Sequence, residues 1–146
     1  MEWTIEKEAQ LAKVITFVCE EVIAQPTISA RVIGLYGNLG AGKTTFTKML
    51  ANALGGADSV VSPTFILERD YELSNNFGIE VMAHIDAYRF EDAKESEVLQ
   101  IASRLHDKKL LYVIEWPENL GEYMPVHTKI VFEHTGGDTR NIKISL

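Results

Sequence analysis

The sequence has 146 residues, of which 46% are apolar and 24% charged, enough apolar side chain for one good core, so a single domain over 1–146 is expected. A net charge of −7 argues against a broad basic surface gripping DNA or RNA through its phosphates, and no apolar run approaches the roughly 20 residues that cross a bilayer. The single cysteine, Cys19, excludes a disulfide framework within the chain, and the opening MEWTIEKEAQ has neither the basic nor the apolar region of an export signal, so a cytoplasmic location is expected.

Over residues 4–24, Leu11, Val14, Ile15, Val18 and Val22 recur at helical spacing, with Thr4 as candidate cap and Glu6 and Glu8 suited to the positive first turn. A loop holding Pro26 leads to RVIGLY, a short apolar run that predicts a strand. A helix follows with Phe46, Met49, Leu50, Ala53 and Leu54 on one face and Gly55 and Gly56 at its end. TFILERDYEL, SNNFG and IEVMAHID predict two antiparallel strands joined by a polar turn, the second turning Ile79, Val81, Ala83 and Ile85 inward. From Glu91, an acidic segment places Val98, Ile101, Ala102 and Leu105 at helical spacing, and LLYVI at 110–114 predicts a buried strand. The stretches 129–133 and 141–146, flanking TGGD, predict a closing hairpin with Ile142, Ile144 and Leu146 alternating. This order predicts an α/β fold: a mostly parallel central sheet with antiparallel additions, sandwiched between helices.

The strongest chemical signal is Gly37, Asn38, Leu39, Gly40, Ala41, Gly42, Lys43 and Thr44, which satisfy the P-loop pattern GxxxxGK[ST] between a predicted strand and a predicted helix. Glycines let successive N–H groups curl around phosphate oxygens, and the helix adds its positive end. These eight residues and Thr45 are therefore expected to hold a triphosphate, although Thr45 and Thr47 read on periodicity as ordinary helix positions. Lys43 would reach the outer phosphates and the Thr44 hydroxyl a magnesium ion, a hard cation that takes oxygen ligands.

Hydrolysis also needs a second hold on the metal and an oriented water. Glu115 ends LLYVI at the carboxyl edge of the sheet and is the Walker-B candidate, the alternative being a surface acid. Asp86 ends IEVMAHID in the same way and is either a second acid of the site or an acid capping the turn before Tyr88. Ser62, Pro63 and Thr64 stand where a loop sensing the outer phosphate is found in related folds, or form a common Ser-Pro turn. Trp116 stacks on a partner, covers the site or packs in the core. His84 reads as structural, and nothing in the spacing favours Arg69 or Arg89 over solvated salt bridges.

Four ordered segments, GNLGAGKTTFTKMLANALG, VSPTF, HIDAYRF and VIEWPENL, resemble the TsaE family, formerly YjeE or YdiB, from about Arg31 onward. The resemblance implies a P-loop fold and an ATPase, using ATP and magnesium, needed for threonylcarbamoyladenosine in tRNA. It implies action on a TsaD–TsaB complex as motor or switch, with tRNA held mainly by that complex. Carried over, Lys43 holds phosphate, Thr44 and Glu115 serve magnesium, Asp86 supports hydrolysis, Trp116 belongs to the functional surface, and Ser62 and Thr64 fall in a switch segment. Three other readings remain on the residues alone: a small P-loop kinase acting on a metabolite, a GTP-dependent switch, disfavoured because no NKxD segment is present, and an assembly factor that binds ATP without hydrolytic turnover.

Overall fold

The structure, a computed structural model, describes residues 1–56, 68–91 and 100–146. Ser62, Pro63, Thr64 and Val98 lie outside the described residues.

Among the described residues, seven strands form one sheet: β1 (Glu2–Ile5), β2 (Arg31–Tyr36), β3 (Glu68–Glu72), β4 (Val81–Asp86), β5 (Leu110–Glu115), β6 (Thr128–Gly136) and β7 (Thr139–Ser145). Their spatial order is β1-β7-β6-β2-β5-β4-β3. The central strands β6, β2, β5 and β4 run parallel, while β1, β7 and β3 pair antiparallel at the two sides. The mostly parallel sheet with antiparallel additions is thus as expected, and the hairpin β6–β7 closes it.

Helices α1 (Leu11–Val18) and α2 (Lys43–Ala53) cover one face. Leu11, Val14, Phe46 and Leu50 pack there against Ile33, Leu35, Val113 and Phe132, with the Phe46 and Phe132 rings edge to face at 5.6 Å. On the other face Val32, Ala83, Tyr112 and Ile114 pack with Ile101, from the short helix α3 (Ile101–Arg104), and with Leu120, from the 3-10 turn Pro117–Tyr123. Side chains covered on both faces explain why β5 is apolar from Leu110 to Ile114 instead of alternating.

Two expectations fail. The chain does not enter as a helix from Thr4: residues 2–5 form β1, and the Thr4 hydroxyl donates to Asn141 Oδ1 at 3.0 Å instead of capping a helix. Trp3 and Ile5 alternate toward the core, and β7 would otherwise present an open edge, so a tertiary partner overrides the local pattern. The helical stretch begins only at Glu8–Gln10, where the Gln10 side chain accepts from the Glu6 and Lys7 amides. Strand β4 also does not alternate. Met82, Ala83, His84 and Ile85 are all buried because β4 sits inside the sheet with both faces covered.

Candidate nucleotide-binding site

Strand β2 ends at Tyr36, and the chain then curls through 37–42 into α2. Three glycines of the curl, Gly37, Gly40 and Gly42, have positive φ, and two of them are tightly enclosed. Gly37 has φ 144°, and a Cβ there would stand 2.6 Å from the Phe132 carbonyl oxygen; Gly42 has φ 105°, and a Cβ there would stand 2.2 Å from Arg140 Nη1. Gly42 is also the N-cap of α2 and carries no side chain to satisfy the first-turn amides, which leaves that helix end suited to an anion.

Lys43 is buried at 6% exposure, and its Nζ donates to the carbonyls of Gly37 and of Asn38, the latter at 3.0 Å. The ammonium also lies 4.3 Å from the centre of the Trp116 ring. Burial lowers its pKa from the ordinary lysine value, against the opposing pull of Glu115, Glu118 and Asp86.

Thr44 and Glu115 meet directly, Oγ1 donating to Oε1 at 2.9 Å. Glu115 is only 2% exposed, so it is not a surface acid. Burial pushes its pKa up, but His84, the Thr44 hydroxyl and Lys43 outweigh burial and hold the carboxyl below its usual range. Asp86 stands beside Glu115 in the β4–β5 register, at the same carboxyl edge. Its Oδ1 accepts from the Tyr88 amide at 3.0 Å, so it caps the turn while its side chain lines the cavity. The turn-capping reading of this acid is therefore seen directly, and its place at the cavity leaves it available to the site. Trp116 takes a left-handed backbone, φ 56° and ψ 48°, rare for a bulky residue and held here by its N–H bonding to Leu35 O at 3.3 Å. That conformation sets its ring against Tyr88 at 5.0 Å and over Lys43.

The resulting cavity has a volume of about 410 Å³, within the range of small-ligand sites. Leu39, Gly40, Ala41, Gly42, Lys43, Thr44 and Thr45 line it, so Thr45 faces the cavity as well as belonging to the helix. Arg89 also lines it, whereas Arg69 lies on β3 beside His84. No cluster of three His, Cys, Asp or Glu side chains occurs among the described residues, so a protein-only metal cage is not part of this site. The donor pair Thr44 and Glu115 instead suits a magnesium ion that takes its remaining oxygens from phosphate and water.

Sequence reasoning missed two residues. His84 is fully buried, with Nε2 3.7 Å from Glu115 Oε1 and neither ring nitrogen hydrogen-bonded. Its position two residues before Asp86, on the same face of one strand, was the available signal. Arg140 of β7 reaches the loop and donates from Nη1 to the Ala41 carbonyl at 3.3 Å; no local pattern pointed to it.

With this geometry in view, comparison with known proteins identifies the family. The family model described as "Threonylcarbamoyl adenosine biosynthesis protein TsaE" matches residues 5–142. The chain belongs to the TsaE family. Relatives named tRNA threonylcarbamoyladenosine biosynthesis protein TsaE include one from Bacillus subtilis, 40% identical over 112 residues, covering 76% of this chain and 66% of the relative. Another, from Haemophilus influenzae, is 31% identical over 118 residues, covering 81% and 72%. The match to the Aquifex aeolicus TsaE is 44% identical over 86 residues, covering 58% and 62%. The chain therefore spans roughly two thirds of the length of the TsaE relatives it matches. The crystal structure of Bacillus subtilis YdiB superimposes with a TM-score of 0.65 at 25% identity, covering 97% of this chain and 82% of that one. TsaE membership associates this chain with tRNA threonylcarbamoyladenosine biosynthesis, the role named for the family and for these relatives. Among the described residues no helix is long and apolar enough to cross a membrane.

Proposed function

We propose that this TsaE-family chain binds ATP with magnesium and hydrolyses it, in the cytoplasm, to drive turnover of a TsaD–TsaB complex that modifies tRNA. The observation that carries the reading is the contact of the Thr44 hydroxyl with the buried, ionised Glu115, whose carboxylate feels the charge of the Lys43 ammonium. Thr44 and Glu115 would hold a magnesium ion, whose positive charge would offset the charge developing on the phosphates.

The chain's own residues do the rest. Amides of the loop and the start of α2 cradle the phosphates, and Lys43 turns from the carbonyls of Gly37 and Asn38 toward the outer two. Asp86, beside Glu115, takes the role of orienting the attacking water. Trp116 and Tyr88 cover the cavity edge and limit access of further water. In this reading Trp116, with Ser62 and Thr64, belongs to the surface that answers to the partner, and tRNA is contacted through that partner, as the net charge of −7 suits.

The test is phosphate release from MgATP, with and without TsaD and TsaB, alongside tRNA modification over several turnovers. Stimulated release together with sustained modification is the expected result. Phosphorylation of a metabolite in place of free phosphate would instead support a kinase, and sustained modification by an Asp86→Ala or Glu115→Ala protein would support a non-hydrolysing assembly factor.

A further inference from the structure

The P-loop sits at the centre of the sheet, and the two sides of that centre carry different chemistry. Toward β5 and β4 stand Glu115 and Asp86; toward β6, β7 and β1 stand Arg140 and, just after β1, Glu8, and both groups line one continuous cavity. Thr44 is tied to the Glu115 side, which fixes where magnesium and the outer phosphates belong. A nucleotide anchored there must extend its nucleoside away from the acids, to the β7–β1 side.

Arg140 is built into that side. Its neighbours in the sheet are Ile5 on β1 and His134 on β6, so its backbone is paired on both edges. Its Nη1 is tethered to the Ala41 carbonyl and lies so close over Gly42 that any Cβ there would strike it. The four salt bridges identified among the described residues use other cations, so the guanidinium is not committed to a carboxylate there. Arginine's planar guanidinium stacks on aromatic rings and is more weakly hydrated than an ammonium, which suits it to the face of a purine.

We propose that Arg140 seats the nucleoside of the bound nucleotide, stacking its guanidinium on the base, in the cavity that Glu8 also lines. This rests on the nucleotide-binding reading above. Stacking is indifferent to the exocyclic groups of a purine, so the contact strengthens adenine and guanine nucleotides alike.

Calorimetric titration of the full chain with MgATP, MgGTP and magnesium tripolyphosphate tests it. Arg140→Ala is expected to weaken MgATP and MgGTP roughly tenfold while changing tripolyphosphate by less than about twofold. Arg140→Lys, which keeps the charge but loses the plane and disturbs the strand less, is expected to give the same split. Equal weakening of all three ligands would make Arg140 a phosphate contact and overturn the proposal, as would unchanged binding of all three. If the unaltered chain bound neither MgATP nor tripolyphosphate, the nucleotide-binding reading itself would fall, a result distinct from either outcome with the variants.

Discussion

Thr44 and Glu115, 71 residues apart in sequence, are joined by a 2.9 Å hydrogen bond between the first turn of α2 and the end of β5. Glu115 is almost fully enclosed, so its carboxylate depends on this hydroxyl and on nearby His84 and Lys43 for compensation. Thr44→Val should therefore both destabilise the ligand-free protein, by about 1–3 kcal/mol for a buried group left without its partner, and weaken the magnesium dependence of ADP binding. Thermal denaturation without ligand and ADP titration at varied magnesium read the two effects separately. Unchanged melting together with unchanged magnesium dependence would mean the contact has no role.

Trp116 lies against Lys43, which in the proposed function turns toward the phosphates, while the other tryptophan, Trp3 of β1, packs against Phe17. Adding nucleotide should change the intrinsic fluorescence of the protein. The change should survive Trp3→Phe and disappear in Trp116→Phe, as a fluorescence titration of the two variants would report.

Glu68 and Asp70 share Arg104, at 2.8 and 3.0 Å. Burial and then the neighbouring Asp70 carboxylate push Glu68 up to about 7, against the pull of Arg104. Below the ordinary value of 4.5 both folded and unfolded chains hold this proton; between 4.5 and about 7 the folded chain keeps it and the unfolded chain releases it. The contribution of Glu68 to stability therefore falls as pH rises through that window and is level above it. Urea unfolding from about pH 5 to about pH 8 should show a decline that Glu68→Gln flattens.

Phe46 anchors the first turns of α2 to the sheet through Phe132 and is fully buried. Phe46→Ala should lower stability by about 3–5 kcal/mol and, by loosening the helix that carries Lys43 and Thr44, weaken nucleotide binding as well. Chemical denaturation and nucleotide titration measure both; a loss of stability with binding intact would uncouple the helix from the site.

The features most legible in the sequence are those fixed by local chemistry. The glycine spacing, the placement of Lys43 and Thr44, and the acids ending two apolar strands all follow from backbone geometry over short stretches. Features created by distant partners were not legible. Trp3 and Ile5 become a strand because β7 offers an open edge some 137 positions away in the pairing of Thr4 with Asn141. His84 resembled a core residue because only the β4–β5 pairing brings it to Glu115. Arg140 lies in an unremarkable strand segment that reaches the loop only after the hairpin folds back.

The order of the sheet also bears on when the protein can work during its own synthesis. The P-loop leaves the ribosome early, yet its first glycine packs on the backbone of Phe132 in β6, and β1 finds its partner only in β7. The nascent chain thus carries every residue of the GxxxxGK[ST] pattern long before it has the wall that shapes it. The shape of the loop is thus set by residues made long after it, Phe132 of β6 and Arg140 of β7.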